Sequence, residues 1–198
     1  MSKIVAIEHI SMDGVIQAPA RPDEDTRDGF RYGGWSAAGS DPAMQQVIGA
    51  RMGSSWSLLA GRFTYEDVLG FWSRQPPNPF TDALTNVEKF VASTTLTEPL
   101  AYPNSTLLKG NILDAITELK RTHDKTLVIF GSSVLVQSLI EGELLDELLL
   151  LIHPVVIGQG RRLFASAGPF AKFNLLESTT TATGVVMSTW TVPTHLRR

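Results

Sequence analysis

The sequence contains no cysteine. That excludes disulfides, thiol nucleophiles and cysteine-ligated metal centres together. An excess of either charge is lacking too: 17 Lys and Arg stand against 20 Asp and Glu, a formal net charge of -3 with no block of like charges. Holding a nucleic-acid backbone takes a basic stripe, so no nucleic-acid partner is expected. Long apolar runs are also missing. The opening MSKIVAIEHISMDG is interrupted at Glu8 and His9, too soon for a signal peptide or a membrane span. No membrane association and a cytoplasmic location are the expectations. His9, His123, His153 and His195 stand apart from one another with no metal-ligand spacing, so no metal is expected. There is no internal repeat, no Walker A loop and no nucleophile elbow. Gly158-Gln159-Gly160 starts a G-x-G, but Leu163 occupies the place where a dinucleotide fingerprint needs a third small residue.

What is present reads as one α/β domain over residues 1–198, with 43% hydrophobic and 19% charged residues. Apolar, β-branched runs predict strands over 3–10, 56–60, 89–93, 106–109, 126–130 and 144–152. Asp41-Pro42 predicts a capped helix to about residue 52, and Asn111 another to about 121. A short helix over 64–69 is expected with Thr64 as its cap, and one over 132–140 after Gly131. Three prolines at 76, 77 and 79 mark a surface loop, and residues 11–39 a long polar one. Segments 173–182 and 185–192, joined at Thr183-Gly184, read as a closing antiparallel hairpin. The sum is a mixed, mainly parallel sheet flanked by helices.

Two strand-to-helix turns share a design: Gly61-Arg62-Phe63-Thr64 and Gly131-Ser132-Ser133. In each, glycine permits close backbone approach, and the helix N-terminus behind it favours an anion. One such turn alone is ordinary α/β punctuation. Two at the carboxyl ends of strands in one sheet tilt the reading toward a phosphate-bearing ligand.

Four segments carry a family resemblance, in order along nearly the whole chain. They are Ser11-Met12-Asp13-Gly14, Gly61-Arg62-Phe63-Thr64-Tyr65-Glu66, Phe130-Gly131-Ser132-Ser133, and Asp146-Glu147-Leu148 leading to Pro154-Val155-Val156-Ile157-Gly158-Gln159-Gly160-Arg161-Arg162-Leu163-Phe164. The chain resembles the dihydrofolate reductase superfamily, and more closely the branch similar to the C-terminal reductase domain of the bifunctional riboflavin-biosynthesis protein. The resemblance implies a dihydrofolate-reductase-like eight-stranded sheet and NADPH as hydride donor. It implies that Gly61, Arg62 and Thr64 hold cofactor phosphates, with Arg62 near the adenosine 2′-phosphate. Ser93 and Thr94 match positions approaching that phosphate, and Gly131, Ser132, Ser133 and Val134 match the turn around the pyrophosphate.

The leading expectation is an NADPH-dependent reductase of a pterin- or pyrimidine-type small molecule. Asp13, directly after the first strand, is the first choice for the acid, although Asp13-Gly14 reads equally as a plain turn pair. Asp41 on the first helix is the other choice. Trp35 is a candidate pocket wall, and Arg161 and Arg162 are candidates to hold a substrate phosphate. Two rivals remain: 5-amino-6-(5-phosphoribosylamino)uracil reductase of riboflavin biosynthesis, and a non-catalytic NADPH-binding domain. The apolar stretch 144–152 suits a sheet core or a homodimer seam equally.

Overall fold

The apolar run Thr126–Phe130 becomes a strand at the heart of an eight-stranded sheet. In the computed structural model, which describes residues 1–164 and 170–192, the strands are β1 (Ile4–Ser11), β2 (Trp56–Gly61), β3 (Lys89–Ala92), β4 (Ser105–Leu108), β5 (Thr126–Phe130), β6 (Glu147–His153), β7 (Asn174–Thr180) and β8 (Val186–Thr191). Their spatial order is β4-β3-β2-β5-β1-β6-β8-β7. All pairings among β1 to β6 are parallel, and β8 alone runs antiparallel, between β6 and β7. β2 and β5 carry one polar side chain each because helices cover both their faces, whereas β1 turns polar toward its carboxyl end, at Glu8, His9 and Ser11. The expected mixed sheet with its closing hairpin is the architecture found.

Helices α1 (Pro42–Met52), α2 (Arg62–Trp72) and α3 (Pro79–Asn86) cover one face. α4 (Ile112–Thr122) and α5 (Ser133–Glu141) cover the other. The alternation of β1 divides the two cores: Val5 and Ile7 face Met44, Met52 and Leu69, whereas Ile4, Ala6 and Ile10 face Ile116, Leu135 and Leu139. The long loop after β1 packs a small core of its own, Val15, Ala18 and Phe30 against Trp35 and Ile157. None of the described helices is long and apolar enough to cross a membrane.

Several boundaries differ from the sequence reading for local reasons. α2 begins at Arg62 with Gly61 as its cap, so Thr64 lies inside the first turn instead of capping it, and Asp67 in the next turn pairs with Arg21 at 2.6 Å. The proline-rich stretch is only partly loop. Asn78 and Thr81 form a reciprocal cap around Pro79, which starts α3. β6 starts at Glu147, since the Leu144 and Leu145 amides still bond back to Leu139 at the end of α5. His195 lies outside the described residues.

Candidate functional site

Parallel strands deliver their carboxyl ends to one edge of the sheet, and the two glycine turns meet there. Ser132 joins them. Its hydroxyl accepts from the Gly61 amide at 3.1 Å and donates to Thr64 Oγ1 at 2.6 Å. Gly131 has φ +70° and Ser132 φ +73°, so two successive residues occupy the left-handed region before α5 begins. A serine there is strained on its own, by of order 1–3 kcal/mol. The bridge across the two turns is the compensating contact. A Cβ on Gly61 would stand 3.3 Å from Ser132 Oγ, so this junction has no room to spare. The leading amides of α2 and α5 have no intrahelical acceptors and open at the same edge.

Around this junction lies a cavity of about 1260 Å³. Its lining includes Gly61, Arg62 and Thr64 from α2 and its cap, Ser93 and Thr94 after β3, and Gly131, Ser132, Ser133 and Val134 before and in α5. Arg62 is exposed and forms no ion pair among the described residues. Ser93 Oγ accepts from the Thr95 and Leu96 amides at 3.1 and 3.0 Å, fixing the turn after β3. One wall is the loop over residues 16–27, held onto α2 by two stacked guanidinium groups. Arg27 lies 3.8 Å from the Phe63 ring centre and Arg21 lies 4.1 Å from that of Phe71. Gln17 holds the loop from within, donating to the Asp25 and Arg27 carbonyls and accepting from the Arg161 amide.

β1 contributes two polar residues to the cavity. His9 Nδ1 lies 2.9 Å from His153 Nε2, and the two rings stack. Burial, with His153 alongside, lowers the His9 pKa to about 4, so the imidazole is neutral at pH 7. Gly39 makes room for this pair, since a Cβ there would come within 2.6 Å of His153 Nδ1. Glu8 is only 2% exposed, and its Oε1 has no hydrogen-bond partner. Burial pushes its carboxyl up to about 8. Sequence reasoning treated Glu8 merely as a break in an apolar run. A charged residue within the buried strand IVAIEHIS was the available signal.

Residues 2–187 match the RibD C-terminal domain family. The chain belongs to that family. It is also 28% identical over 135 residues to the uncharacterized protein YyaP of Bacillus subtilis, covering 66% of this chain and 70% of that one. A protein from Shewanella sp. PV-4 provisionally assigned to riboflavin biosynthesis superposes with a TM-score of 0.68 at 22% identity, covering 96% of this chain and 99% of that one. A pyrimidine reductase-like protein from Corynebacterium diphtheriae gives 0.65 at 12% identity, with 97% and 92% covered. Dihydrofolate reductase from Enterococcus faecalis, complexed with NADP(H) and RAB-propyl, gives 0.62 at 15%, with 96% of each chain covered. The fold is that of dihydrofolate reductase, and the family supports a reductase.

Against this RibD-type frame, ten of the fourteen residues singled out from the sequence line one cavity: the nine at the turns and strand ends, plus Arg161. The other four do not. Asp13 lies off the cavity lining with both carboxylate oxygens engaged. It accepts from Ser11 Oγ at 2.7 Å, the Ile157 amide at 3.0 Å, the Gly158 amide at 2.8 Å and Arg162 at 3.2 Å. The Ile157 amide and then the Ser11 hydroxyl hold its carboxyl well below the usual carboxylate range, leaving a firm anionic clamp with no proton to give. Arg162 donates to that clamp and lies off the cavity lining. Asp41 caps α1 through the Ala43 amide and accepts from the Ala182 amide. Trp35 donates to the Gln17 carbonyl at 2.8 Å and presents an edge to His153, bracing the loop from behind.

Proposed function

We propose that the chain is an NADPH-dependent reductase of a pterin- or pyrimidine-type small molecule. The observation that carries this reading is a single cavity that joins the bridged pair of glycine turns to buried polar groups at the end of β1. Its volume, about 1260 Å³, exceeds the roughly 300–1,000 Å³ of a site for one small ligand, leaving room for a dinucleotide and a small ring together. The residues present fit NADPH. Two helix N-termini and two glycine turns suit a pyrophosphate. Arg62, which has no ion pair among the described residues and shares the cavity lining with Ser93 and Thr94, suits a further phosphate.

Bound there, NADPH would supply the hydride. The chain's own part is to orient and to exclude water. The Ser132 bridge fixes the phosphate end, and the stacked loop over residues 16–27 closes one side. Neither Asp13 nor Asp41 supports the role of proton source. The RibD family affiliation and the NADP(H) held by the Enterococcus relative support the cofactor assignment.

Reduction of the phosphoribosylaminopyrimidine remains the second reading, favoured by the family. It wants a basic site for the substrate phosphate, and only Arg161 of the two candidates lines the cavity. Arg161 is half-engaged by Asp28 at 2.9 Å. The deciding assay is loss of NADPH absorbance with dihydrofolate, with the ribosylaminopyrimidine and with a panel of related pterins and pyrimidines. Oxidation with any of them supports the reductase reading. Tight NADPH binding without oxidation across the panel would favour a non-catalytic binder, and no NADPH binding would end both.

A further inference from the structure

Glu8 sits where a carboxylate is hardest to keep. On its side of β1 the neighbours are Ile4, Ala6 and Ile10, in the apolar layer beneath α4 and α5. The β1–β5 register sets Ile7 opposite Phe130, and the Gly131 amide donates to the Ile7 carbonyl at 3.3 Å. Glu8 is therefore level with the second glycine turn, one residue before His9, and it lines the same cavity. No cation pairs with it among the described residues, and Oε1 is buried without a partner. The two other partnerless atoms of this kind, on Arg51 and Glu147, belong to a pair of opposite charges facing each other at 3.8 Å. Glu8 has no such neighbour among the described residues. A buried polar atom without a partner costs stability, and its site in the wall of a ligand-sized cavity suggests that the partner arrives with the ligand.

We propose that Glu8 reads the amide edge of a planar ring bound at the β1 end of the cavity. A protonated carboxyl presents one O–H donor and one carbonyl acceptor side by side. That pair matches an amide, which offers an N–H and a C=O in the same spacing. Burial keeps the acid protonated up to about pH 8. Asp or Glu in the ionised form could only accept, so the neutral state is what gives the site its two-way recognition. This inference rests on the reductase reading, which supplies two ligands with such an edge: the carboxamide on a nicotinamide, or the lactam within a pyrimidine or pterin. The test separates them.

Wild type, Glu8→Gln and Glu8→Leu are titrated with NADPH and with its 3-acetylpyridine analogue, which lacks the amide N–H, between pH 6.5 and 9.5. KM is measured in parallel for the best substrate found in the oxidation assay. Gln keeps a donor and an acceptor but cannot ionise. It should bind within about three-fold of wild type at pH 7 and show none of the wild type's weakening above pH 8. Leu keeps the volume and should lose about ten- to a hundred-fold, the scale of one or two lost hydrogen bonds. If the carboxamide is read, Leu weakens NADPH by more than it weakens the acetylpyridine analogue, whose carbonyl can still accept from the acid but which has no N–H to give. If the lactam is read, both cofactors keep their affinity and KM rises instead. Either pattern supports the proposal. Should Glu8→Leu match wild type within two-fold in both cofactor affinity and KM, Glu8 is not a reading group and the proposal is overturned while the reductase assignment stands. Wild type that binds no NADPH overturns both, which sets that failure apart from the first.

Discussion

Asp13→Asn is the perturbation that separates a clamp from a catalyst. Asn keeps the size of the side chain and one carbonyl oxygen, but its NH2 must replace the other oxygen. The two backbone amides of Ile157 and Gly158, 3.0 and 2.8 Å away, both point at acceptors. One of them would then face a donor. The loss is one charge-assisted hydrogen bond, worth about 1.5–3 kcal/mol, plus part of the cost of an unsatisfied amide. The pairing with Arg162 weakens as well, though that contact is partly exposed and adds little. About 3 kcal/mol in total lowers Tm by about 6–12 °C in a chain of this length. The sign with pH follows from the depressed carboxyl: its stabilising contribution is present above the ordinary carboxylate range and fades as pH falls through the folded value. The gap in Tm between wild type and variant therefore narrows in acid. Thermal unfolding at pH 7 and at about pH 2.5, inside the window between the ordinary and the depressed carboxyl, with kcat measured alongside at pH 7, tests it. An unchanged Tm together with a kcat reduced about 10²–10⁴-fold, the range for a lost general acid, would refute the clamp and restore Asp13 as a catalytic group.

Arg62→Ala should weaken NADPH by about ten- to a hundred-fold in equilibrium titration and leave NADH almost untouched; equal losses for both would remove Arg62 from the 2′-phosphate. Gly131→Val should abolish NADPH binding in the same assay while circular dichroism stays native, because Val strains the left-handed φ of +70° in the turn, while an added Cβ would meet nothing closer than Thr64 Oγ1 at 4.0 Å. Glu8 carries a folded pKa raised from 4.5 to about 8, so the unfolded chain releases this proton first as pH rises. Its contribution to stability is therefore full in acid and declines between about pH 4.5 and 8, and chemical denaturation should show Glu8→Gln gaining on wild type across that window. A constant difference between the two would mean that Glu8 is ionised in the folded protein.

The parts of the fold governed by local pattern were legible. TLVIF reads as a doubly covered strand and forms one, Asp41-Pro42 and Asn111 start their helices as written, and Thr183-Gly184 turns the last hairpin. α3 was hidden because three prolines look like breakers, and only the Asn78–Thr81 spacing reveals that the last of them opens a helix. The glycine turns were readable because close approach requires glycine. The roles of Asp13 and Glu8 were not readable, since both depend on partners far along the chain. Asp13 meets amides 144 and 145 residues away. For Glu8 the strand context IVAIEHIS marks the burial, but not that the described residues bring Oε1 no partner.

The hydroxyl of Ser132 reaches a threonine 68 positions earlier and ties the starts of α2 and α5 into one body. The two turns should then open together or not at all. In native-state hydrogen exchange, the Gly61 amide and the first hydrogen-bonded amide of α5, that of Val136, would share one opening free energy instead of fraying separately as helix ends usually do. Ser132→Ala would divide that unit in two, and a ligand that touches both turns would then have to order them at its own expense.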